Sequence, residues 1–175
     1  HVRSRRQRQM CIRDRTKGSL TLGNLIVEPF SVSHDAADPI GINVFAGKDK
    51  ATVVTDTGVI SDSILRRMDD TNLLVLEANY DPHMLRFGPY QPFLKQRVAS
   101  DEGHLSNEMA ARALLMMNRP DFMQVILAHR SENNNNAVLV TQTIGKMLVD
   151  GGVRIGPEMK LQHGQPNEIV SMKSV

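Results

Sequence analysis

The chain holds one cysteine, Cys11, no tryptophan and no apolar run near the length of a membrane helix. A single thiol excludes an internal disulfide framework and fits a reducing compartment, so the cytoplasm is the expected location. A spanning helix needs about 20 consecutive apolar residues, so no membrane partner is expected. Aromatic residues amount to 4% of the 175 residues. Composition therefore advertises no stacking surface for single-stranded nucleic acid. A dominant charge is missing as well. The formal net charge is +2, yet residues 1–15 hold six Arg against one Asp, and the rest hold 15 basic against 18 acidic residues. The body is mildly acidic, so any nucleic-acid footprint has to be local.

Apolar residues at 41% and charged residues at 23% describe an ordinary globular chain, long enough for one domain with a real core. The first fifteen residues follow neither helical nor strand periodicity and lack the apolar centre of a signal peptide. A basic arm for nucleic acid is one reading of them. The other, preferred here, is that Arg8-Gln-Met-Cys-Ile-Arg-Asp-Arg15 resembles translated sequencing-adapter read-through. The protein proper is then expected to start near Thr16.

From Lys17 onward, four segments read as strands in an antiparallel meander: 19–22, 25–33, 40–46 and 50–55, joined by turn-forming residues. Ser61 or Asp62 can cap a helix with Ile64, Leu65 and Met68 on its apolar face. The run Asn72-Leu-Leu-Val-Leu-Glu-Ala78 predicts a strand covered on both faces. A helical turn and loop follow over 80–91, then helices over 93–98 and 107–118, the second capped by Ser106. A strand over 122–128, a helix over 137–150 closed by Gly151-Gly152, and a short strand over 168–172 complete the pattern. A meander followed by βαβ units predicts a layered α/β fold with helices covering the sheet.

The chain is organised around Ala51-Thr-Val-Val-Thr-Asp56-Thr-Gly58, a strand that delivers a carboxylate to a sheet rim. Alone, such an aspartate is equally a turn former. His34 and His129 also end predicted strands, and a common rim would gather two imidazoles and a carboxylate. That set suits zinc, or manganese and iron with less preference. Glu77 sits inside an apolar strand, where a carboxylate needs a partner. Either an arginine pairs with it, or it holds His104 in a proton relay. Lys95, Arg97 and Arg130 form either a phosphate clamp or a solvated basic face. His83 and His163 read as surface residues, and the ten methionines as core filling.

Six stretches, in this order, resemble the metallo-β-lactamase-fold hydrolases of the YycJ/WalJ type and, more distantly, ribonuclease Z. They are Ser33-His34-Asp35-Ala-Ala-Asp38-Pro39, Val54-Thr-Asp56-Thr-Gly58, Leu76-Glu77-Ala-Asn-Tyr-Asp81, Leu94-Lys95-Gln-Arg97, Gly103-His104-Leu-Ser-Asn-Glu108 and Ala128-His129-Arg130-Ser131-Glu-Asn-Asn134. The resemblance implies an α/β fold, part of a metallo-β-lactamase αββα sandwich, with residues 16–175 forming the C-terminal two-thirds of the domain. It implies two divalent metal ions, zinc or manganese, with His34 on one ion, Asp56 bridging and His129 on the other. Glu77 and His104 match the family's proton relay, and Lys95, Arg97, Arg130 and Ser131 become candidate phosphate contacts. The implied activity is phosphodiester hydrolysis, as a 5′-directed DNA exonuclease.

The family's His-x-His-x-Asp-His run, which would supply four of seven ligands, is absent from these 175 residues. Its expected place is upstream of Ser19. Three ligands from two metal shells predict weak metal binding and little turnover by the chain as it stands. Two other readings compete: a metallo-hydrolase of a small ester, thioester or phosphodiester, and a non-catalytic nucleic-acid binder working through the basic arm.

Overall fold

Seven strands line up in one sheet in the order in which the chain lays them down, β1 to β7. The computed structural model describes residues 18–165. The basic segment 1–15 and the strand expected over 168–172 lie outside the described residues. β1 (Leu20–Leu22), β2 (Leu25–Ser31), β3 (Ile40–Ala46) and β4 (Asp49–Val54) pair antiparallel, as the turn residues predict. Gly23 and Gly47 take φ of 63° and 62° in the two tight turns, a conformation that penalises any side chain with a Cβ. β5 (Leu73–Glu77), β6 (Met123–Ala128) and β7 (Met159–His163) then add parallel strands beyond β4.

This topology decides where the helices go. Parallel neighbours laid down in sequence need right-handed crossovers, which carry every connection over the same face of the sheet. The connections hold α1 (Asp62–Met68), α2 (Pro82–Phe87), α3 (Pro92–Val98), α4 (Asn107–Met116) and α5 (Ala137–Asp150). Ser61, Ser106 and Asn136 cap α1, α4 and α5 by accepting the N–H of Ile64, Met109 and Leu139. The main core forms where Val54, Leu74, Leu76, Val125 and Leu127 of the sheet meet Ile64, Met68, Leu114, Ile144 and Leu148 of the helices. Met68, Met117, Met123 and Met159 fill it, as expected of a flexible apolar side chain.

Four expectations change. β5 is covered on one face only: Leu74 and Leu76 are buried, while Leu73 and Val75 on the other face stay half-buried. Its apolar run signals two faces able to be buried, but the helices of the described residues supply one layer. β7 was not expected, because Met159-Lys-Leu-Gln-His163 carries little apolar alternation and gains its order from pairing with β6. As part of β7, His163 is half-buried rather than a surface residue, and its Nε2 shares a hydrogen bond with the Thr141 hydroxyl at 2.8 Å. Residues 82–87 also make a defined helix, since Asp81 accepts the Met84 N–H at 2.9 Å and Pro82 stands in the first turn. Among the described residues no helix is long and apolar enough to cross a membrane.

Candidate metal centre

Strand direction gathers the chemistry. β4, β5 and β6 run parallel, and β2, two antiparallel steps from β4, runs the same way. Their C-terminal ends share one rim, so the segments leaving them carry His34, Asp56, Glu77 and His129 to the same place. His104 joins from the loop before α4, whose backbone N–H donates to the Val98 carbonyl at 2.9 Å. Two of these residues adopt left-handed backbone: Asp56 with φ of 54° and His129 with φ of 52°. Such geometry is costly without glycine and clusters where function demands a direction of approach.

Each imidazole is aimed by a second partner. His34 donates from Nδ1 to the Gly103 carbonyl at 2.9 Å, and its Nε2 lies 3.9 Å from the Asp56 carboxylate. His104 and His129 both donate from Nδ1 to one oxygen of Glu77, at 2.8 and 2.7 Å. The other Glu77 oxygen accepts the backbone N–H of Thr57 at 3.0 Å. Burial of Glu77, whose side chain is 0% exposed, would raise its pKa, but three donated hydrogen bonds overcome this and hold it below the usual carboxylate range. Hydrogen bonding to Glu77 in turn raises the His129 pKa against the effect of its burial. Glu77 is thus satisfied by two histidines and a backbone amide rather than by an arginine.

The donors fit a divalent cation. His34, Asp56 and His104 each offer a ligand atom within 4.8 Å of the others, and so do Glu77, His104 and His129. An imidazole that spends Nδ1–H on a carbonyl or carboxylate keeps Nε2 for a metal, the usual support for a histidine ligand. Asp56 lies between His34 and His129, 3.9 Å from Nε2 of the first and 3.6 Å from Nδ1 of the second, the nitrogen that also donates to Glu77. The rings of His34, His104 and His129 form a row with successive centroids 5.1 Å apart.

The cationic residues divide. Arg97, Arg130 and Ser131 line a cavity of about 340 Å³ that His104 and His129 close on one side. Arg97 also grips Asp35 through two hydrogen bonds, and this contact holds the Asp35 carboxyl below its usual range. The Nη1 of Arg130 is buried and has no hydrogen-bond partner among the described residues. Lys95 does not join them: its ammonium caps the Arg86 carbonyl at 2.8 Å.

Sequence reading overlooked the supports. Asn79 donates to the His129 carbonyl at 2.7 Å and so holds the strained residue. Asn135, buried, donates to the carbonyls of Ala78 and Asn79 and exchanges hydrogen bonds with Asn107, tying the end of β5 to the start of α4. It sits in a run of four asparagines whose uniformity conceals which one matters. Gly58 is a further support. A Cβ there would fall 2.2 Å from the Ser100 carbonyl oxygen, and backbone cannot swing aside. Gly58→Ala is expected to displace the 100–104 loop that holds His34 and carries His104, lowering stability by about 1–3 kcal/mol in thermal unfolding. An unchanged midpoint would refute that packing.

The Beta-lactamase superfamily domain matches residues 3–129, and the chain belongs to this metallo-β-lactamase-fold family. Among named relatives, Exodeoxyribonuclease YycJ of Bacillus anthracis is 35% identical over 146 residues, covering 83% of this chain and 55% of that protein. Exodeoxyribonuclease WalJ of Streptococcus pneumoniae is 32% identical over 155 residues, covering 89% of this chain and 58% of that protein. The chain thus spans a little over half the length of the curated relatives it matches. The metallo-β-lactamase-fold protein YhfI of Bacillus subtilis superposes with a TM-score of 0.57 at 16% identity, over 83% of this chain and 50% of its own, a likeness of fold.

Proposed function

We propose that this chain supplies part of the catalytic rim of a metal-dependent phosphodiester hydrolase, a 5′-directed DNA exonuclease. The observation that carries the reading is Glu77, fully buried yet hydrogen-bonded to both His104 and His129 beside the Asp56–His34 pair. That carboxylate fixes the direction of two imidazoles at one rim as well as holding the segments that carry them. The names of the YycJ and WalJ relatives support the choice of DNA.

In this reading His34, Asp56 and His129 would hold divalent metal ions, zinc or manganese. When bound, such ions activate a water and offset the charge that builds on the phosphorus oxygens. The chain's own residues do the rest. Glu77 keeps the Nδ1 proton of His104 in place, so that Nε2 can pass a proton to the departing oxygen. Arg130 and Ser131, which line the cavity, would offer donors to a phosphate there. Arg97 reinforces that polarity from its pair with Asp35. The lining is mixed, with Arg97 paired to Asp35 and Arg130 set against Glu132, so the choice of a phosphodiester over a thioester or lactone rests on the relatives' names.

Three donors drawn from two metal shells grip an ion loosely, so the chain alone is expected to bind zinc weakly and turn over little. The test joins it, in one polypeptide, to a family N-terminal portion carrying the His-x-His-x-Asp-His run. Release of label from 5′- and 3′-labelled DNA strands is then followed with and without manganese. We expect metal-dependent release from the 5′ end, reduced at least about 100-fold by Asp56→Asn. No metal-dependent release from either end, or parent-like rates in the variant, would sink the reading.

A further inference from the structure

Ser33 leads the chain from β2 into His34, and Thr57 follows Asp56 as the chain leaves β4. β2 and β4 are not neighbours in the sheet, because β3 lies between them. The β2–β3 ladder ends at Ser31 and the β3–β4 ladder at Val53, so no ladder sets the distance between the two outgoing segments. Thr57 does so instead. It is 0% exposed, and its hydroxyl accepts the Ser33 N–H at 3.2 Å while donating to the Val59 carbonyl at 2.9 Å. The N–H of Gly58 donates to the Ser33 carbonyl at 3.0 Å. Both backbone polar groups of Ser33 are thereby spent on residues 57 and 58.

The direction of each bond follows from the groups present. A hydroxyl has one proton to give, and a carbonyl can only accept it. The proton therefore goes to Val59, and a lone pair is left for Ser33. In this way a side-chain oxygen stands where a backbone carbonyl would stand in a ladder. Threonine suits the place, since branching at Cβ leaves few rotamers and holds the oxygen in one direction. The same residue reaches the third strand end, because its N–H donates to Glu77 at 3.0 Å and Glu77 holds His104 and His129.

These contacts bear on the donors to a metal. His34 stands next to Ser33, and Asp56 next to Thr57, with 3.9 Å between His34 Nε2 and the Asp56 carboxylate. The hydrogen bonds of His34 and Asp35 run elsewhere, to Gly103, Glu102 and Arg97. They fix the segment to the loop before α4 and leave its spacing from Asp56 to Thr57 and Gly58. A ligand set works only when its members are held to within about 0.5 Å, so a small slip between the two segments is felt at the ion.

We propose that Thr57 is a positioning residue of the metal centre: through its hydroxyl it sets the spacing of His34 and Asp56 and joins that pair to the Glu77 clamp. This rests on the metal-dependent part of the hydrolase reading and adds to it a residue that is not itself a ligand.

Two variants separate positioning from packing. Thr57→Val removes the hydroxyl and keeps the branched shape and the N–H to Glu77. Thr57→Ser keeps the hydroxyl and drops a buried methyl group. Zinc affinity of the full chain is measured by competition with a chromogenic chelator, at a temperature where amide spectra show every variant folded. Asp56→Asn, run alongside, reports whether the zinc sits at this centre. Thr57→Val is expected to bind zinc about 10-fold or more weakly than the parent, and Thr57→Ser within about 3-fold of it. A packing role predicts the reverse order, since serine leaves the larger void. Parent-like affinity in Thr57→Val, or a loss in Thr57→Ser as large as in Thr57→Val, would overturn the positioning role and leave the metal reading intact. No zinc affinity in the parent, or affinity that ignores Asp56→Asn, would overturn the metal reading and the positioning role with it. Affinity that follows the Thr57 hydroxyl, with no release of DNA label by the joined protein, supports the positioning role and overturns the phosphodiester reading alone.

Discussion

Glu77→Ala is expected to cost about 3–5 kcal/mol of folding stability, a fifth or more of the roughly 5–15 kcal/mol that a domain of this kind has in total. The carboxylate is wholly buried and accepts from His104, His129 and the Thr57 N–H. Removing it deprives three donors of their only acceptor in the described contacts, and leaves any imidazolium without its counter-charge. Each unsatisfied group costs about 1–3 kcal/mol, partly relieved where water can reach the half-exposed His129. Glu77→Gln should fall between parent and alanine variant. An amide keeps the volume and accepts through one oxygen, but turns an N–H₂ donor toward groups that also donate. Urea unfolding of the three proteins measures the series. Should the alanine variant unfold within about 1 kcal/mol of the parent, the clamp described here contributes nothing to the fold.

Asp56→Gly is expected to behave in the opposite sense. Asp56 holds φ at 54°, where a side chain costs about 1 kcal/mol and glycine almost nothing. Its carboxylate approaches His34 and His129 at 3.9 and 3.6 Å, longer than a hydrogen bond, so little folding energy leaves with it. The gain in backbone ease is offset in part by the greater freedom of an unfolded glycine. Stability should therefore hold within about 1 kcal/mol of the parent, or rise. Metal affinity should fall at least about 100-fold, read by competition with a chromogenic zinc chelator. A variant that loses both stability and metal would mean that Asp56 is a structural residue, and one that keeps both would remove it from the metal centre. Glu77 and Asp56 thus divide the rim between a residue that the fold needs and one that it tolerates for chemistry.

Much of this was legible from residues a few positions apart. The meander, the α1, α4 and α5 helices and their caps follow from turn glycines, Ser61 and Ser106, and apolar periodicity, all of which act within a turn or two of chain. The strand-end positions of His34, Asp56 and His129 were readable for the same reason. A strand that stops at a polar residue says where that residue will stand. β7 was not legible, because Met159–His163 is a strand by virtue of its neighbour β6 and carries almost no pattern of its own.

Sequence alone therefore settled most of the elements, with β7 the exception, and the family. Tertiary structure decided the partners. Glu77 takes His104 from 27 residues away and His129 from 52, and an arginine would have satisfied it equally well on local grounds. Arg97 closes on Asp35 across 62 residues, while Lys95, two positions earlier, turns back to Arg86. Helical geometry sends side chains two apart to different sides, and nothing within the segment says which side meets the site. Periodicity is a local property of the chain, whereas a pairing across dozens of residues depends on how every loop between them closes.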